Sequence, residues 1–373
     1  MNLMNRKNHS KTSLYVAFSV TLLMSLLPLS PVQAQSTVVK FTSQNNFNSK
    51  IFILDISNSN NFKVTWNQSL RKSIINILKQ PFGFPQDASL INKVGQVPTE
   101  IYVSSISANS VDEPLFPIVT KNDSDEMWGM IGTLGKNPSS GRLLQLVDAI
   151  FGGQGAFTKQ AQKFGKVPLS PLDMSLCTEQ TSSTLKKNNY LKSVDPKLIS
   201  DSSNTICIVS SRITDNLIAL DKYFAKPSCG VSTKYCSDVF GALLKANRNA
   251  NDVAKLYKKG KSENPPSMCI AVASDMLNYG ANVTSSPILN TELIVKNSKS
   301  EVEATEKGKE AASKVGLNFP TALKVRVEIL GQGSGRNPLP LDKNSLLDAY
   351  WKGVWDKSGV VSSSNSLDKA CSE

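Results

Sequence analysis

Apolar and polar positions alternate along this chain in two distinct periods. Ile51, Phe52, Ile53 and Leu54 form a continuous apolar run, which predicts a strand buried on both faces. Trp66, Leu70, Ile74, Ile77 and Leu78 then recur at helical spacing until Pro81 and Pro85 break the pattern. Residues 100–106 predict a second strand. A helical pattern covers 143–151, and glycines 152, 153 and 155 follow it. The rest of 121–235 is rich in proline, serine and asparagine, and reads as a helical, loop-rich insertion. Within it Cys207, Ile208 and Val209 predict a strand, and 217–224 a helix. Phe240, Leu243, Leu244 and Asn247 mark a helix running toward Lys258. Residues 268–273 predict a buried strand introduced by Pro265 and Pro266, and 301–315 predict a helix charged on one side. Leu323, Val325, Val327 and Ile329 alternate with Lys324, Arg326 and Glu328, a strand with one wetter face near a sheet edge. Leu346, Leu347, Tyr350 and Val354 place a last helix before a serine-rich tail, 359–373.

Strands alternating with helices predict an α/β fold with a doubly wound, mainly parallel sheet. The main domain spans 49–358, after a polar lead at 35–48. Residues 1–34 read as a secretory signal: Arg6, Lys7 and Lys11 precede an apolar stretch from Leu14 to Leu27, and Val32-Gln33-Ala34 offers a cleavage site. The protein is therefore expected to be secreted or periplasmic, or held at the cell surface, with no membrane span after cleavage.

Composition narrows the chemistry. The single histidine, His9, lies in the signal, so the mature chain has none for a Ser-His-Asp or Cys-His mechanism or for a histidine metal site. Six cysteines in an exported chain predict disulfides. Local spacing suggests Cys177 with Cys207 and Cys229 with Cys236, and elimination leaves Cys269 with Cys371. The formal charge of +12 is spread along the chain, without a compact basic run interleaved with aromatics, so nucleic acid is not the expected partner.

The candidate site begins at Asp55, Ser57 and Ser59, at the carboxyl end of the first strand, where open α/β sheets bind ligands. One carboxylate and two hydroxyls alternating along a turn are hard oxygen donors suited to Mg²⁺ or Ca²⁺. Ser237 stands before a helix, and Asp275 follows the buried strand 268–273. Either position also fits an ordinary helix cap or turn. In order, these five residues resemble the metal-ion-dependent adhesion site of the von Willebrand factor A-type domain. The resemblance spans roughly 48–358 and implies Ser57, Ser59 and Ser237 as direct ligands of Mg²⁺ (or Mn²⁺ or Ca²⁺). It implies Asp55 and Asp275 as groups that hold the ion through water. The strand from Lys324 to Leu330, with Gly331-Gln332-Gly333, resembles a later strand and turn of that family. The chain departs from the family at Ser237 (usually Thr), Asn58 (often Gly) and Met276 (frequently Gly), and no sixth strand is legible. The implied function is binding, not catalysis: an acidic group of a partner protein or matrix completes the cation's shell. The alternatives are a secreted hydrolase, either with a carboxylate pair around Asp123, Asp125 and Glu126, which otherwise read as a solvated loop, or metal-dependent at the Asp55 site, and a periplasmic scaffold with a vestigial site.

Overall fold

A computed structural model describes residues 48–56, 99–134, 170–224, 236–257, 266–280, 286–333, 339–364 and 371. All of them belong to one compact unit, Val38–Glu373. The signal, the lead up to residue 47, the helical patterns at 66–78 and 143–151, glycines 152, 153 and 155, and Ser57, Ser59 and Cys229 lie outside the described residues.

Strand β1 (Asn48–Asp55) is buried along almost its whole length, as its uninterrupted apolar run requires. It pairs in parallel with β2 (Thr99–Ile106) on one side and β4 (Ser267–Ala273) on the other. Strand β5 (Lys324–Leu330) continues the parallel sheet beyond β4. The short β3 (Phe116–Val119) pairs antiparallel with β2. The order is β3-β2-β1-β4-β5-β6, in which β6 is Ser362–Ser364.

Side chains two apart share a sheet face, and this alternation divides the core. Phe52, Leu54, Ile101, Val103 and Ala271 face α1 (Lys121–Leu134), α2 (Met174–Lys187) and α3 (Pro196–Phe224). Ile51, Ile53, Ile270, Val272, Val325 and Val327 face α4 (Val239–Tyr257), α5 (Thr291–Asn297), α6 (Glu301–Val315) and α7 (Leu341–Ser358). The protein is thus α/β, with a six-stranded, mostly parallel sheet and helices on both faces.

Three expectations are corrected. Cys207, Ile208 and Val209 are not a strand but part of the 29-residue α3, whose buried Ile199, Ile206, Val209, Ile213, Leu217 and Leu220 recur at helical spacing. The local β-branched pattern is overridden by this longer amphipathic period. A sixth strand exists, so β5 stands near the sheet edge, as expected, without being the edge itself. Its wetter face comes from exposed Lys324 and half-buried Arg326 near the amino end of the sheet, whereas Glu328 is buried, and β6 covers its flank through Arg326↔Ser362 and Glu328↔Ser364. Three exposed serines carry no apolar signal, so β6 was invisible to periodicity. Asp123, Asp125 and Glu126, expected in a loop, stand in the first turns of α1. Asp123 accepts the Thr120 amide at 2.9 Å and hydroxyl at 2.7 Å, and Arg212 bridges Asp123 and Glu126 at 2.8 and 2.6 Å.

Disulfides join Cys177 to Cys207, between α2 and α3, and Cys269 to Cys371, which fixes residue 371 to β4. Cys236 is also disulfide-bonded. Among the described residues, no helix is long and apolar enough to cross a membrane.

Candidate functional site

The parallel register brings the carboxyl ends of β1, β2 and β4 into one row. Asp55 pairs with Ile106, and Leu54 with Ala273, so Asp55 lies level with Ser274. The chain turns toward β2 and β3 from one side of β1, and β4 and β5 stand on its other side. β1 and β4 therefore flank the point where strand order reverses, the usual ligand crevice of an open α/β sheet.

Asp55 is only 1% exposed, and one of its carboxylate oxygens gathers two hydroxyls. Ser274 Oγ donates to Asp55 Oδ2 at 2.7 Å, and Ser237 Oγ donates to the same oxygen at 3.2 Å. Each serine that spends its proton on Asp55 keeps oxygen lone pairs for another partner. Ser274 Oγ uses one of them to accept the Met276 amide at 2.9 Å.

Ser237 does not serve as the cap of α4. That role belongs to Asp238, whose Oδ1 accepts the Gly241 amide at 2.9 Å. Its Oδ2 accepts the Ser110 amide at 3.1 Å, and its own amide donates to Ser107 O at 2.8 Å. A Cβ on Gly241 would stand 2.0 Å from Asp238 Oδ2, so this first turn needs glycine. With the cap supplied next door, the Ser237 hydroxyl turns to Asp55. The Tyr279 amide donates to Ser237 O at 2.7 Å, stitching the entry to α4 onto the loop after β4.

Asp275, 1% exposed, occupies that loop directly after Ser274. Its Oδ1 accepts the Leu277 amide at 3.0 Å, and its carbonyl accepts the Gly333 amide at 3.0 Å. Gly331 and Gly333 take φ of 90° and 68°, the left-handed region in which glycine is unstrained. The glycine turn after β5 thus braces Asp275. Asn278 holds the far side: its Oδ1 accepts the Phe240 amide at 3.3 Å and its Nδ2 donates to Leu289 O at 2.7 Å.

Of the five expected site residues, Asp55, Ser237 and Asp275 stand on adjacent elements at one end of the sheet, with Asp55 and Ser237 in direct contact. Ser57 and Ser59 follow Asp55 outside the described residues. Ser274 is the participant not predicted from sequence. Its signal was its place at the last turn out of a buried strand, one residue before an aspartate.

Among the described residues one further group has metal-ligand spacing, Cys269, Glu328 and Cys371. Its two sulfurs are bonded to each other, so neither is a thiolate ligand. Lys245, whose pKa burial pulls down to about 8, donates to Ser104 Oγ at 3.2 Å. Ser104 lies within β2 and is 1% exposed, so this pair anchors α4 to the sheet and offers no reachable nucleophile. No protein-family model and no curated protein matches this chain.

Proposed function

We propose that this protein is an exported binding module, similar to von Willebrand factor A-type domains. In this reading a divalent cation at Asp55, Ser57, Ser59, Ser237 and Asp275 engages an acidic group of a partner protein or matrix. One observation carries it: Ser237 and Ser274, from two different loops, both donate to the Asp55 carboxylate at the sheet's switch point. The six-stranded sheet with β6 and the glycine turn against Asp275 support the same reading. So do the disulfides, which suit an oxidising compartment.

The donor set fits a hard cation, because every side chain in it is oxygen-bearing. Asp55 orients the Ser237 hydroxyl, so its lone pairs meet an ion without a search through rotamers. Asp275, fixed by Leu277 and Gly333, adds charge from the opposite loop. A bound Mg²⁺ or Mn²⁺ would supply an electrophilic position for an incoming carboxylate. The residues contribute few formal charges, which leaves that position attractive to an acid from outside.

The test is titration of Mn²⁺ and Mg²⁺ into purified mature protein by calorimetry, for wild type and Asp55→Ala. Saturable binding by wild type that is lost in Asp55→Ala is expected. Ion binding unchanged by the substitution, or absent from folded wild type, would overturn the reading.

A further inference from the structure

A second site lies at the opposite end of the sheet. A cavity of about 250 Å³ opens where β1, β4 and β5 begin, and its walls include Lys50, Lys324, Arg326, Asn48, Ser49 and Ser267. None of the described residues lining it is acidic. Lys50, Cys269 and Arg326 occupy one row of the parallel register and, by alternation, one face. With strands ~4.8 Å apart, the two cationic residues stand about 10 Å apart along that row.

The positive charge here is only partly met. Lys50 Nζ donates to Cys371 O at 2.5 Å, a neutral acceptor. Burial first, and Arg326 second, pull its pKa down to about 8, against the opposing pull of Glu328. Arg326 Nε approaches Glu328 Oε1 at 3.2 Å, yet this buried nitrogen makes no hydrogen bond. Glu328 is itself shared, because its other oxygen accepts the Cys371 amide at 2.7 Å. A buried guanidinium nitrogen is costly to leave unsatisfied. Two lysines and a guanidinium around one recess answer to a single ligand class.

We propose that this cavity binds a phosphate-type oxyanion, with Lys50, Lys324 and Arg326 as its counter-charges. A tetrahedral oxyanion accepts several hydrogen bonds at once, which a single carboxylate does so less fully. The cavity has room for a small group attached to the phosphate. The site is independent of the cation reading, being built from the other ends of the same strands.

The experiment is calorimetric titration of the mature protein with inorganic phosphate and with glycerol phosphate, in a phosphate-free buffer of low ionic strength near pH 7. Wild type, Lys324→Gln/Arg326→Gln and Asp55→Ala are compared, with circular dichroism to show that each is folded. Saturable binding is expected in wild type and in Asp55→Ala, weakened about tenfold or more in the double variant. Sedimentation with phosphatidylglycerol vesicles, against phosphatidylcholine vesicles, decides the source. Vesicle binding lost in the double variant supports the site and assigns the anion to a lipid headgroup. Phosphate binding without vesicle binding supports it with a soluble ligand. No binding to any of these anions by folded wild type, or binding unchanged in the double variant, overturns the proposal.

Discussion

At the scale of single residues, burial sets the charges that matter. Glu100, at the start of β2 and 6% exposed, has its pKa raised to about 7, mainly by burial and against the opposing pull of Lys121. Its folded pKa exceeds the ordinary 4.5, so the unfavourable charged form accumulates in the folded state as pH rises from 4.5 through 7. Glu100→Gln should therefore stabilise the protein at pH 8 by on the order of 2 kcal/mol and change little near pH 4.5. Urea unfolding of both proteins at the two values checks this, and equal effects at both would contradict it. The candidate site was legible at the same scale only where a residue's type and place coincided. Asp55 and Asp275 stood out as carboxylates after apolar runs. Ser274 did not, because a serine beside an aspartate reads as a turn. Met276 was noted only as a residue where glycine is frequent. In the structure it takes a φ of 62°, in the left-handed region that is costly for a residue with a Cβ. The cost to methionine is offset by full burial of its side chain, at 0% exposure.

At the scale of elements, α6 and α7 meet at two glycines. A Cβ on Gly308 would lie 1.9 Å from Tyr350 O, and one on Gly353 would lie 2.0 Å from Thr305 O. Both clashes are with backbone, so neither can be relieved by a rotamer change. Gly308→Ala and Gly353→Ala should each destabilise by about 1–3 kcal/mol despite alanine's better helix propensity. Thermal melts check this, and a stabilised variant would show that the helices have room to separate. Elements with strong periodicity were legible: β1, β4, β5, α4, α6 and α7 all stand where apolar spacing put them. Helix α6 even carries its own punctuation, with Ser300 Oγ accepting the Glu303 amide and Gly316 at φ 71° closing it. β3 and β6 are short, and their pairing is decided by neighbours, not by their own side chains. The strand expected around Cys207 failed because three residues are too short a window against a 29-residue helix.

At the scale of the whole molecule, the sheet separates two chemistries. Its carboxyl rim collects Asp55, Ser237, Ser274 and Asp275, and its amino rim collects Lys50, Lys324 and Arg326. The amino rim is also where Cys371 is bonded to β4, its amide held by Glu328 and its carbonyl by Lys50. The bridge spans a sequence separation of 102 residues, and closing a loop of that size is worth about 4–5 kcal/mol in the chain-entropy account. Cys269→Ser/Cys371→Ser should lower stability by about 2–5 kcal/mol. Denaturant unfolding measures it, and an unchanged midpoint would show that packing alone holds residue 371.

That bridge also decides how the protein carries mechanical load. A pull on Cys371 does not travel back through α7 and β5 to reach the middle of the sheet. It passes through two sulfur atoms into β4, the strand beside Asp55. The intervening residues are in parallel with a covalent shortcut and bear no tension while it is intact. Reduction would release roughly 350 Å of hidden chain, from 102 residues at the extended length per residue. A load applied at this point is carried past the residues between the two cysteines by a covalent bond and meets the non-covalent sheet at β4.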